Sequence, residues 1–122
     1  MARTGWSVRM DDTFVQRIED VITLHLSDPD FDTSRVASAA GISRMHLNRK
    51  LRALTGQSSR EFVRIFRLRR SLTLLKQADH TVSDVARQVG FRSLSHFAKI
   101  FREQYGVTPS QYQRRVPPIP RF

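Results

Sequence analysis

Two stretches decide how this chain folds: Val36-Ala37-Ser38-Ala39-Ala40-Gly41-Ile42 and Val85-Ala86-Arg87-Gln88-Val89-Gly90-Phe91. They are one pattern repeated at an offset of 49 residues. After the glycines the offset becomes 50, and Leu47, Arg49, Leu51 and Gly56 answer Phe97, Lys99, Phe101 and Gly106. Ser58, Phe62 and Arg64 then answer Thr108, Tyr112 and Arg114. A correspondence that survives several segment boundaries marks one structural unit used twice.

Each copy reads as a helix, a tight turn and a second helix. Asp32 and Thr81 stand where side-chain oxygens cap the first helices. Gly41 and Gly90 follow those helices, and Ser43 and Ser93 cap the second ones, which end at Gly56 and Gly106. This is the helix-turn-helix pattern. Between the copies, Ser58-Ser59-Arg60-Glu61 forms a capping box, and Phe62, Ile65, Phe66, Leu68, Leu72 and Leu75 recur at helical spacing. The predicted linker helix spans 58–77, about 30 Å at the usual rise. Leu68 and Leu72 are expected to clamp it to both copies. Thr108-Pro109-Ser110-Gln111 starts a short last helix anchored by Tyr112, and Asp12 is expected to open a first helix whose face carries Phe14, Val15, Ile18, Val21, Ile22 and Leu26. The expectation is an all-α chain of seven helices: an N-terminal tail (1–10), a first helix-turn-helix subdomain (11–57), the linker helix (58–77), a second helix-turn-helix subdomain (78–115) and a C-terminal tail (116–122).

Charge separates the two ends. Residues 1–32 hold three basic and seven acidic residues, net −4, whereas residues 33–122 hold 18 basic and 4 acidic, net +14. Such a field attracts polyanions, nucleic acid first. The cations are 18 Arg and 3 Lys, and Arg favours bidentate contact with phosphate or guanine. With no cysteine, disulfides, thiol catalysis and Cys-held metals are excluded. His25, His46, His80 and His96 lack metal-ligand spacing, and no catalytic motif is present, so neither an enzyme, a cofactor nor a metal is expected. No apolar stretch is long enough for a membrane span, and neither a membrane role nor a compartment other than the cytoplasm is expected.

Ser83-Asp84-Val85-Ala86, Val89-Gly90-Phe91, His96-Phe97, Phe101, Tyr105-Gly106-Val107-Thr108-Pro109-Ser110 and Tyr112 carry a resemblance, supported by Val36-Ala37, Ser43-Arg44-Met45-His46-Leu47, Leu51 and Thr55-Gly56. The chain resembles the DNA-binding module of the AraC/XylS family of bacterial transcription regulators over residues 11–115. Ser71 departs from the pattern, which more often has Ala there. The run 43–58 also resembles modules fused to receiver domains in hybrid two-component proteins.

The resemblance implies two reading helices on one side of a DNA duplex, in major grooves about 34 Å apart. By position, Arg44, Met45, His46, Asn48 and Arg49 would meet base edges from the first copy, and Leu94, Ser95, His96 and Lys99 from the second. Asn suits adenine, Arg suits guanine and Met suits a thymine methyl. Arg35, Ser43, Arg52, Ser58, Thr81, Arg87, Arg92 and Arg102 would hold the phosphate backbone. Arg64, Arg67, Arg69 and Arg70 cannot all face one duplex, and some are expected to pair with the acidic first helix. The implied partners are double-stranded DNA, RNA polymerase for an activator, and a fused or separate sensor or receiver domain. The chain holds no effector-binding domain, so it reads as a short stand-alone regulator or as the output module of a larger sensor. The competing reading is a non-specific architectural DNA binder, which the charge alone would suit.

Overall fold

The computed structural model describes residues 5–77 and 79–115, with side chains from residue 13 on. Among the described residues there are seven helices and no strand: α1 (Gly5–Leu24), α2 (Thr33–Ala39), α3 (Arg44–Thr55), α4 (Ser59–Leu75), α5 (Val82–Gln88), α6 (Leu94–Tyr105) and α7 (Pro109–Arg115). The all-α architecture is as expected. Its first boundary is not: α1 begins at Gly5, so most of the expected tail 1–10 is helical. The pair Asp11-Asp12 resembles a cap, but Asp inside a helix costs no more than about 0.7 kcal/mol, and no Pro or further Gly interrupts the run. The expected tail at 116–122 lies outside the described residues.

The two copies are built alike from local chemistry. Asp32 accepts from Arg35 N–H at 3.1 Å, and Thr81 accepts from Asp84 N–H at 3.0 Å. Both first helices close in the same double hydrogen bond. Gly41 N–H reaches Ser38 O and Ile42 N–H reaches Ala37 O; Gly90 N–H reaches Arg87 O and Phe91 N–H reaches Ala86 O. Ser43 and Ser93 then cap α3 and α6 through the amides of His46 and His96. The linker is shorter than predicted. Ser58 is its cap and Lys76-Gln77 its exit, leaving 17 helical residues, about 26 Å.

The chain divides into two compact units. The first gathers residues up to His25 with Phe31–Ile65; the second gathers Leu26–Asp30 and the residues from Phe66 on. In the first unit α1 packs on α2 and α3, and Phe14, Ile18, Ile22, Val36, Leu47, Leu51 and Phe62 are buried. Arg17 donates to Ala40 O at the end of α2, and Lys50 lies over the Phe14 ring at 4.9 Å. In the second unit Leu68, Leu75, Val85, Val89, Phe97 and Phe101 form the core, with Leu72 packed against it. Leu68 and Leu72, expected to clamp α4 to both copies, belong to the second unit, Leu68 within its core and Leu72 packed against it. Pro109 is fully buried, whereas Tyr112 is only half-buried, its ring edge-on to Phe101 at 5.8 Å.

Arg67, one of the four linker arginines of which some are expected to pair with the acidic first helix, is only 6% exposed. Its guanidinium donates to Leu26 O at 2.8 Å, Val89 O at 2.9 Å and Asp28 O at 3.2 Å. Burial lowers its proton affinity from the ordinary arginine value, and the Asp28 charge opposes that shift. Ser71, which departs from Ala, is fully buried and returns its hydroxyl hydrogen bond to Leu68 O.

The α4 cap is reciprocal: Glu61 accepts from Ser58 N–H at 3.0 Å and donates its own N–H to Ser58 Oγ at 3.1 Å. The Ser58 backbone N–H, then the Ser58 hydroxyl, hold the Glu61 carboxyl below its ordinary value of 4.5, helped by Arg52 and Arg64. Thr81 and then Arg87 do the same for Asp84, whose ordinary value is 3.8. A lowered carboxyl stabilises the fold fully above the unfolded pKa and loses that contribution as pH falls through the folded one. These two carboxyls should therefore make thermal stability fall as the pH drops below about 4.5. Glu61→Gln should reduce the acid sensitivity while leaving α4 capped, because Gln111 already caps α7 in this way. An unchanged acid profile in that variant would show that the cap does not report this titration.

Candidate nucleic-acid interface

Helix α3 turns Leu47 and Leu51 inward, both fully buried. At 3.6 residues per turn this leaves Met45, Arg49 and Arg52 along the outer face, at spacings of four and three. Arg44, Met45, His46, Arg49 and Arg52 are all exposed, and Met45 is 74% exposed. The twelve residues of α3 include four cations and no acid. Helix α6 repeats the arrangement in its own unit. Phe97 and Phe101 are buried, while Leu94, Ser95, His96, Lys99 and Arg102 are exposed, with Leu94 at 47%. Lys99 and Arg102 line a shallow recess with Ala98, Glu103 and Thr108. A solvent-facing apolar side chain such as Met45 or Leu94 is suited to a methyl group at a base edge.

The expected phosphate-holding residues are less uniform. Arg35 is exposed in the first turn of α2. Ser43, Ser58 and Thr81 have hydroxyls that already cap helices. Arg87 pairs with Asp84 at 2.7 Å, an exposed contact that contributes little to stability. Arg92 pairs with Asp30, so a phosphate at that position would compete with a carboxylate.

Asn48 differs most from its expected role. It is half-buried, and its Oδ1 accepts from Ser59 N–H at 2.9 Å, at the start of α4. A bidentate contact with adenine needs that same oxygen, so it is not open to Asn48 in this arrangement. Removing the acceptor would strand an N–H on a residue only 9% exposed, a loss of about 1–3 kcal/mol. Ser59 is the residue that the sequence reading passed over.

Residues 36–115 match the family described as a helix-turn-helix domain. The chain belongs to the AraC-type helix-turn-helix family. Among its relatives is the HTH-type transcriptional regulator MtrA of Neisseria gonorrhoeae, 33% identical over 90% of this chain and 35% of that protein. Another is histidine kinase P4 of Formosa agariphila, 31% identical over 87% of this chain and 8% of the kinase. The chain thus spans about a third or less of these relatives' lengths. Among solved structures, the DNA-binding domain of AdpA in complex with a target DNA is 30% identical, with a TM-score of 0.72 over 82% of this chain and 89% of that one.

In this AraC-type domain, the described residues include no helix long and apolar enough to cross a membrane. Nor do they include a group of three or more His, Asp or Glu residues able to hold a metal ion.

Proposed function

We propose that this chain binds double-stranded DNA sequence-specifically in transcription regulation, with α3 and α6 each entering a major groove. The observation that carries the reading is the outer face of α3. It presents Met45, Arg49 and Arg52 on a helix that holds four cations and no acid, fixed by a capped turn. The α6 face repeats the register with Ser95, Lys99 and Arg102. The target-DNA complex of the AdpA domain supports the same reading. It is a reading of binding, not of catalysis, and places the chain in the cytoplasm. RNA polymerase is the partner an activator requires. A fused sensor or receiver is supported by the match to a short part of a histidine kinase.

The test is selection from a random duplex library, followed by footprinting. One chain should protect an asymmetric site over two consecutive major grooves. Equal affinity for selected and random duplexes at one salt concentration would favour the architectural reading instead. A palindromic minimal site occupied by two chains would overturn two-groove reading by one chain.

Arg49→Ala should cost about 1–3 kcal/mol and relax preference at one base step. Arg52→Ala should weaken selected and random duplexes alike and reduce the salt slope by about one. Affinity measured over a salt series separates the two. Uniform weakening in Arg49→Ala would make Arg49 a phosphate contact.

A further inference from the structure

The start of α4 leaves four backbone donors without a partner in the helix: those of Ser58, Ser59, Arg60 and Glu61. Glu61 takes the first and Ser58 Oγ the last. The Ser59 donor is taken by Asn48, one turn into α3. The second copy meets the same problem at α7. Thr108 and Gln111 reproduce the reciprocal box. At the offset of 50, however, Ser59 becomes Pro109 and Asn48 becomes Ala98. Proline has no N–H, so no acceptor is needed, and alanine offers none. The Asn48–Ser59 pair is thus replaced as a pair, while the rest of the cap is duplicated.

Building on the DNA-reading role proposed for α3, we infer that Asn48 is a positioning residue. It ties the middle of the reading helix to the first amide of α4 and leaves direct base contact to Met45 and Arg49. Its amide oxygen stays on Ser59 when DNA binds.

The test is a double-mutant cycle of Asn48→Ala, Ser59→Pro and both together. Thermal unfolding is measured alongside affinity for a duplex selected by the wild-type protein and for a random duplex. Asn48→Ala alone should weaken selected-duplex binding about tenfold and lower the melting temperature. In the Ser59→Pro background, where the donor is gone, the same change should cost no more than about twofold. A full tenfold loss of selected-over-random preference in that background would make Asn48 a base reader and overturn the inference. If Ser59→Pro fails to fold, exchange of the Ser59 amide hydrogen decides the matter. It should be slow in the wild-type protein, at least about tenfold faster in Asn48→Ala, and still slow with the selected duplex bound. Fast exchange in the bound wild type would show that Asn48 swings to a base, and would also overturn the inference. A wild-type protein that does not distinguish the two duplexes would overturn the proposed function on which this rests. The free-protein exchange rate separates that failure from an absent brace.

Discussion

Gly90→Ala is expected to cost about 3–5 kcal/mol and to disrupt the second unit. Gly90 has φ +87°, a conformation that side-chain-bearing residues rarely adopt. A Cβ there would lie 1.5 Å from Arg67 Nη1 and 2.6 Å from Leu26 O. The carbonyl cannot move without moving the backbone. The guanidinium is held by the carbonyls of Leu26, Asp28 and Val89 and cannot swing away cheaply. Displacing it would leave a buried cation without its acceptors, the costly way to break such a contact. The repeat supplies its own control. Gly41 occupies the same place in the first unit with φ +75°, but a Cβ there meets nothing within 4 Å. Gly41→Ala should therefore cost only the backbone strain, about 1–2 kcal/mol. Thermal and urea unfolding of both variants checks this. Equal destabilisation would mean that Arg67 yields freely and that the clash is unimportant.

Phe101→Ala should be comparably severe, about 3–5 kcal/mol. Phe101 is fully buried, with its ring centroid 5.7 Å from Phe97, 4.8 Å from Tyr105 and 5.8 Å from Tyr112. Each tilted or edge-on pair adds about 0.5–1.5 kcal/mol beyond simple burial. Truncation leaves a cavity beneath α6 and releases α7 from its main ring contact. Phe101→Leu keeps most of the volume and should cost clearly less. On DNA, the alanine variant should lose the α6 half of the selected site and keep the α3 half. Footprinting reads the two halves separately. An unfolding midpoint within error of the wild type would refute the claim that this ring organises the second unit.

The features legible before the fold was known share one property: their partners are three or four residues apart. Asp32, Ser43, Ser58, Thr81, Ser93 and Thr108 each cap through the amide three positions on, and the four glycines at 41, 56, 90 and 106 all have positive φ. The repeat positions Leu47, Leu51, Phe97 and Phe101, four residues apart within each pair, are all buried, which sets the exposed faces of α3 and α6. The start of α1 was misjudged because Asp11-Asp12 is locally ambiguous: the same residues suit a cap and are tolerated inside a helix.

By itself, then, the sequence determined the helices, their caps, the duplicated turn and the cationic face of α3, because local hydrogen bonds and helical periodicity settle all four. Tertiary structure decided the rest. Asn48 is a candidate base reader by position, and only the fold brings the Ser59 amide, 11 residues on, to its Oδ1. Arg67 is one of four linker arginines by position, and only folding brings Val89 O and Leu26 O to it from 22 and 41 residues away. A polar side chain can face water, DNA or a stranded backbone group with equal chemical logic. Only the folded packing, which removes water from some donors and acceptors and not from others, determines which of these partners it takes.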